Sequence, residues 1–336
     1  MVYGGIKMKY NQKRNRKNRR RCFLPPYKIE TTMSIAQAGD APGWQITAFN
    51  LPDAWEHTKG KGVTIAVLDT GCDLDHPDIA ANLVVKRGAN ILNPSKPPAD
   101  DNAHGTHCCG IIAAPKNDLG IIGVAPQATI MPVKVLDRNG SGDLNAVTKG
   151  IYFAIRNKVD IISMSLGAPF PVQNLHNAIR LATKKGIPVF CAAGNSGLTK
   201  NVFYPARYPE TIAIGSIDEN FKRSSFSNTG QNLDFMAPGG KILSAIPDDW
   251  YGVMSGTSMA CPFAVGVTAL LMSYVKKHKP GAKLDTVRAI RSVLRKHTTP
   301  ISDKDYAGKK FFQGFGIIDP RSFQEYLKSK KKRKRK

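Results

Sequence analysis

Three polar residues, each beside small or apolar neighbours, could together do acyl-transfer chemistry. Asp69 closes the apolar run VTIAVLD, His104 opens HGTHCCGIIAA, and Ser258 opens SMACPFAVGV after a Gly-Thr pair. A serine hydroxyl is a poor nucleophile on its own. It needs an imidazole to take its proton and a carboxylate to hold that imidazole in one tautomer. Read singly, each residue has a plainer role. Asp69 would be a turn or cap residue, His104 an exposed loop histidine and Ser258 a helix N-cap. Read together, in the order Asp, His, Ser, they form one of the few arrangements in which this unit recurs.

Positioning three such groups requires rigid elements. Val63–Asp69 reads as a strand buried on both faces, because its apolar run does not alternate. Further strands are expected over 129–136, 160–166, 188–193 and 211–217. Helices are expected over 104–114, 143–158, 173–185, 258–277 and 284–297. Asp143 is a suitable N-cap, Gly186 a stop signal, and Pro262 falls in a first turn where its missing N–H does little harm. Alternating strands and helices predict an α/β fold, a mostly parallel, doubly wound sheet with helices on both faces. Ligands of such sheets bind beyond the carboxyl ends of the strands. Asp69, Ser165–Gly167 and Gly194–Asn195 sit at those ends, and His104 and Ser258 sit at helix starts on the same edge. No Gly-x-Gly-x-x-Gly or Walker pattern follows a strand, so a nucleotide site has no support.

The chain has 336 residues and a net charge of +24, concentrated at its ends. Lys7–Arg21 contains no acid, and Lys328–Lys336 is basic apart from Ser329. Such runs read as solvated tails or as contacts for a polyanion such as nucleic acid. There is no uninterrupted run of about 18 apolar residues to span a membrane. The basic N-terminal stretch lacks the apolar run of a secretory signal, which predicts a cytoplasmic protein. The six cysteines show no C-x-x-C pair or zinc spacing and read as reduced, buried small hydrophobes.

The segments AVLDTGCDLDHPDI, NAHGTHCCGIIAA and SGTSMACPFAVGV resemble the three signature blocks of the subtilisin-like serine proteases, the subtilases. GVAPQATIMPVKVLD, DIISMSLG, CAAGNSG and LDFMAPG extend the similarity over roughly residues 44–320. The resemblance implies a serine endopeptidase acting on protein or peptide substrates. In it Asp69 orients, His104 is the general base and acid, Ser258 is the nucleophile and Asn195 donates to the oxyanion. Ser165, Leu166 and Gly167 would pair with an extended peptide. Ala192, Ala193 and Gly194 would wall the pocket for the residue before the cut. Phe203 departs from the small residue frequent near that pocket's floor. His107 and His76 match family positions without a chemical role.

The resemblance also implies a calcium ion held by Asp78, Asn117 and the carbonyls of Pro115, Leu119 and Ile121, an oxygen-rich set that suits this cation. Residues 23–28 (FLPPYK) resemble the Leu-Ile-Pro-Tyr motif in the inhibitory extension of intracellular subtilisins. The expected organisation is a basic tail (1–21), a short inhibitory prosegment (22–42), a catalytic domain (43–320) and a C-terminal segment ending in a basic tail (321–336). Dimers occur in the intracellular subgroup, so a homodimer is a further implied partner. A contrasting reading is a catalytically silent scaffold of this fold that holds nucleic acid or another polyanion through its basic ends.

Overall fold

The computed structural model describes residues 21–25, 27–34, 40–197, 201–278, 284 and 286–323. Nearly all of both expected basic tails lies outside them.

The described chain opens with two strands, β1 (Arg21–Phe23) and β2 (Ile29–Ser34), where the sequence offered only proline punctuation. Short helices α1 (Trp44–Ala48) and α2 (Leu51–Trp55) lead into β3 (Thr64–Asp69), which is buried along almost its whole length. Then come β4 (Ala89–Asn90), α3 (His104–Ala113), β5 (Thr129–Lys134), β6 (Ser141–Asp143) and α4 (Leu144–Arg156). The Asp143 carboxylate caps α4 by accepting from Asn145 N–H. β7 (Ile161–Met164), α5 (Gln173–Lys184), β8 (Val189–Ala192) and β9 (Ile212–Ile217) follow. Gly186, at φ +84°, supplies the left-handed turn after α5.

The remainder comprises β10 (Phe235–Pro238), β11 (Ile242–Ile246), β12 (Trp250–Met254), α6 (Thr257–His278), α7 (Val287–Arg295), β13 (Thr298–Thr299), α8 (Lys310–Gln313) and β14 (Ile317–Ile318). Nine strands form one sheet in the order β13-β14-β10-β9-β8-β7-β3-β5-β4, parallel except at the β13–β14 edge. Helices α3 and α6 pack against each other and against the sheet, and α4 packs on α5.

β3 lies between β5 and β7, so successive connections leave it in opposite directions. This is the switch point at which a crevice opens beyond the strand ends. α6 is long and apolar enough to cross a membrane, yet that stretch is entirely buried in the protein core. It lies across β7, β8, β9 and β10, which explains its lack of a polar face.

Candidate active site

Asp69 is the last residue of β3, held by parallel pairing with β5. Its buried Oδ1 accepts from Thr70 N–H at 2.8 Å and lies 2.8 Å from His104 Nδ1. His104 is the first residue of α3, and neither side chain has measurable access to solvent beyond 1%. A buried carboxylate in this contact fixes which imidazole nitrogen carries the proton, leaving Nε2 free to act as a base.

The placement of His104 depends on a residue the sequence did not single out. The Asp100 Oδ1 accepts from Thr70 Oγ1 and from the N–H groups of Asn102 and Ala103. Its Oδ2 accepts from the N–H and hydroxyl of Thr106, at 2.9 and 2.6 Å. Asp100 therefore gathers the entrance of α3, whose N-cap Ala103 is held at φ +93°. Thr70 Oγ1 also accepts from Gly105 N–H. A Cβ on Gly105 would fall 2.1 Å from the Gly71 carbonyl oxygen, so only glycine lets α3 approach the Asp69 loop this closely.

Ser258 lies in the first turn of α6, where backbone N–H groups lack intrahelical acceptors and the dipole favours negative charge. Its carbonyl accepts from Ser165 Oγ at 2.9 Å, which ties this turn to the end of β7. The Ser258 hydroxyl donates to the Ser165 carbonyl at 3.3 Å, not to His104. His104 Nε2 has no partner among the described residues. Asn195 Oδ1 accepts from both the N–H and the hydroxyl of Thr257. A Cβ on Gly256 would meet Asn195 Nδ2 at 2.8 Å, so the amide lies against the same turn that presents Ser258.

Along the cleft, Gly167 exchanges both backbone hydrogen bonds with Phe23, each 3.0 Å. On the other side β1 pairs antiparallel with β6, and Leu24 N–H donates to the Gly140 carbonyl. The N-terminal segment thus forms the middle strand of a three-strand ribbon in the cleft. Two residues beyond Phe23 the chain reaches Pro25, which is buried. Proline offers no N–H to a neighbouring strand, and the Ser165 carbonyl accepts from the Ser258 hydroxyl instead. Tyr27 then packs its ring 5.1 Å from that of His104 and donates to Asn102 Oδ1. Burial beside Asp100 and Asp69 pushes the Tyr27 phenol well above its usual range. β2 continues the segment by pairing with β12.

Ala192 closes β8, Ala193 N–H donates to the Ile214 carbonyl, and Gly194 N–H donates to Thr257 Oγ1 beside Ser258. His107, one turn beyond His104, is buried with Nε2 donating to the carbonyls of Ile242 and Gly252. Burial pulls its pKa from 6.5 to about 3, so it is a neutral structural group. Cys108 Sγ lies 3.8 Å from His104 Nδ1, and burial raises that thiol well above its ordinary range.

Asp78 is fully buried beside the 115–121 loop. Its Oδ2 accepts from Ile121 N–H at 2.7 Å, while Oδ1 has no partner among the described residues. His76 Nδ1 accepts from Asp78 N–H, which gives His76 a positioning role. Asn117 Oδ1 accepts from Leu119 N–H inside the loop. Asp40, which sequence reasoning missed here, accepts from Asn117 N–H and leaves Oδ2 buried with no partner among the described residues. Burial, with Asp40 nearby, pushes the Asp78 carboxyl up to about 7. Two buried carboxylates, Asp78 with the Tyr251 hydroxyl beside it and Asp40, meet at a carbonyl-rich loop, a donor set that suits a hard divalent ion. Ala41 pairs with the same loop, its N–H donating to the Gly120 carbonyl. Residues 40–41 are therefore anchored on the body of the domain, inside the segment expected to be prosegment.

A strand-end carboxylate, an imidazole and a helix-start hydroxyl at the edge of a doubly wound sheet define a serine protease of the α/β type. The chain belongs to the Subtilase family, whose pattern matches residues 60–316. It is 46% identical over 258 residues to the intracellular serine protease of Paenibacillus polymyxa, covering 75% of this chain and 78% of that protein. It is 42% identical over 275 residues to the major intracellular serine protease of Bacillus subtilis, covering 79% and 86%. Subtilisin E of Bacillus subtilis is 42% identical over 264 residues, covering 77% of this chain and 65% of that protein.

Proposed function

We propose that this serine protease is an intracellular, calcium-stabilised endopeptidase made as a zymogen, its cleft filled by its own residues 21–34. The observation that carries the catalytic assignment is the buried 2.8 Å contact between Asp69 and His104 beside the α6 turn that bears Ser258. Ser258 Oγ attacks the peptide carbonyl while His104 Nε2 takes its proton, and Asp69 steadies the resulting imidazolium. The oxyanion is met by the Asn195 amide and by backbone N–H at the start of α6. His104 returns the proton to the leaving amine. It then draws a proton from water, which hydrolyses the acyl ester. An extended substrate adds a strand between 141–143 and Gly167, in the manner of β-augmentation.

The masking proposal is supported by the antiparallel pairing of Arg21–Phe23 with 141–143, by the Phe23–Gly167 bridge and by Tyr27 against His104. In this state the nucleophile is turned to Ser165 and the base is covered. Activation removes the chain N-terminal to Asp40, because Asp40 and Ala41 belong to the loop proposed to hold the ion. Calcium would be held by Asp78, Asn117, Asp40 and the carbonyls of Pro115, Leu119 and Ile121. When bound it supplies a fixed positive charge that neutralises the buried carboxylates and ties the chain entry to the domain. The intracellular assignment is supported by the names of the Paenibacillus and Bacillus relatives.

Ser258→Ala tests the mechanism. Turnover of a peptide anilide is expected to fall by several orders of magnitude with an unchanged circular dichroism spectrum. Retained turnover would remove Ser258 from the chemistry.

A further inference from the structure

Phe203 is the residue in the cleft that neither the triad nor the masking segment uses. The chain at 203–204 is stitched to both walls. Phe203 N–H donates to the Ala193 carbonyl, and Ala168 and Tyr204 exchange hydrogen bonds of 2.7 and 2.9 Å. Its side chain lies between the two glycines that line those walls. A Cβ on Gly194 would stand 3.1 Å from Phe203 Cδ2. A Cβ on Gly167 would stand 3.2 Å from Phe203 Cβ and 3.5 Å from Cδ2. The ring is thus seated in the slot between Gly167 and Gly194, and the absence of a side chain on either wall is what admits it.

The same slot adjoins the residue next to Ser258. Gly194 N–H donates to Thr257 Oγ1 at 3.1 Å, Thr257 precedes Ser258, and Gly167 pairs with Phe23 of the segment lying in the cleft. Carbon atoms in contact need about 3.5–4.0 Å between centres. A side chain on either glycine would therefore press into the Phe203 side chain, so the ring takes up the space between the two walls.

We propose that Phe203 fills the inner part of the pocket for the side chain before the cut, which restricts cleavage to positions after small residues such as alanine, serine or glycine. The proposal rests on the endopeptidase reading above. Large aromatic or branched side chains are rejected because they reach the slot only if the Phe203 ring leaves it, and its backbone is pinned to both walls.

The test is a competition in one tube between two peptide amides identical except for alanine or phenylalanine before the cleaved bond. The products are resolved by mass spectrometry. The product ratio gives the ratio of kcat/KM whatever fraction of the full-length chain is unmasked. The wild-type chain is expected to favour alanine by at least about tenfold, the scale on which a pocket discriminates a steric misfit. Phe203→Gly is expected to raise the phenylalanine product relative to alanine by at least about tenfold, with Phe203→Ala intermediate. Wild-type cleavage after phenylalanine as fast as after alanine would overturn the proposal, and so would an unchanged ratio in both variants. A fluorophosphonate probe run in parallel separates the two levels of failure. Ser258 labelled without a size preference sinks the pocket assignment alone. Ser258 unlabelled, with neither peptide cut, sinks the endopeptidase reading and this proposal with it.

Discussion

Leu24→Ala is the perturbation that most directly probes the proposed masking by residues 21–34. Leu24 is buried to 9% exposure, and its side chain covers Gly140, where an added Cβ would meet Leu24 Cδ1 at 2.7 Å. The substitution removes three carbons and leaves the Leu24 N–H bond to Gly140 intact. At about 0.8 kcal/mol per buried carbon, docking weakens by about 2 kcal/mol. Docked and free forms share one chain, so this change passes directly into the free fraction while the docked form dominates. A tenfold change corresponds to 1.4 kcal/mol, so turnover by the full-length chain is expected to rise by roughly 30-fold. The assay is the initial rate on a peptide anilide at fixed enzyme concentration. Leu92→Ala, the same change at an exposed leucine, is the control and should leave the rate alone. A Leu24→Ala rate within about twofold of the parent would refute the reasoning, because a 2 kcal/mol loss of docking cannot be that small in effect.

Other outcomes follow from the same contacts. Asp100→Ala strands the groups that gather the start of α3 and is expected to cost about 2–4 kcal/mol in urea unfolding, with kcat falling more than KM rises. Asp100→Asn should recover part of both effects. His107 is neutral in the fold with a pKa of about 3, against 6.5 unfolded. The unfolded chain therefore binds the extra proton between those values. The stability this group contributes is full above pH 6.5 and is lost as pH falls towards 3, at about 1.4 kcal/mol per pH unit. His107→Asn should remove that slope between pH 6 and 4, and an identical pH profile for the two proteins would count against the buried neutral state. Calcium at about 100 times its Kd is expected to add about 2.7 kcal/mol, a Tm rise on the order of 5 °C that a chelator reverses. Asp78→Asn should abolish this response, and a Tm indifferent to calcium would remove the ion from the account.

The five expected strands correspond to β3, β5, β7, β8 and β9 and were legible because their signals are local. The candidate triad was legible only from three segments read together, and buried β10 and β11 were not read. VTIAVLD can bury both faces only inside a parallel sheet, and Asp143 and Gly186 punctuate helices by their own chemistry. The termini of helices were read to within a few residues, α3 ending at Ala113 and α7 starting at Val287. What sequence could not give depends on partners distant in the chain. β1 and β2 exist because β6, Gly167 and β12 offer edges, and nothing in RCF or IETTMS announces that pairing. Asp100 looks like any loop acid until Thr70 and Thr106 close around it. Asp40 reaches the loop beside Asp78 through tertiary placement, which no local signal announces. Phe203 was visible as an unusual residue, but only the two glycines facing it show what the ring occupies.

The measurement closest to the central claim is the site and rate of fluorophosphonate labelling, followed by peptide mass spectrometry, in the full-length chain and in Leu24→Ala. The account predicts one adduct, on Ser258, forming slowly in the parent and markedly faster in the variant. An adduct on another residue, or none in either protein, would contradict it.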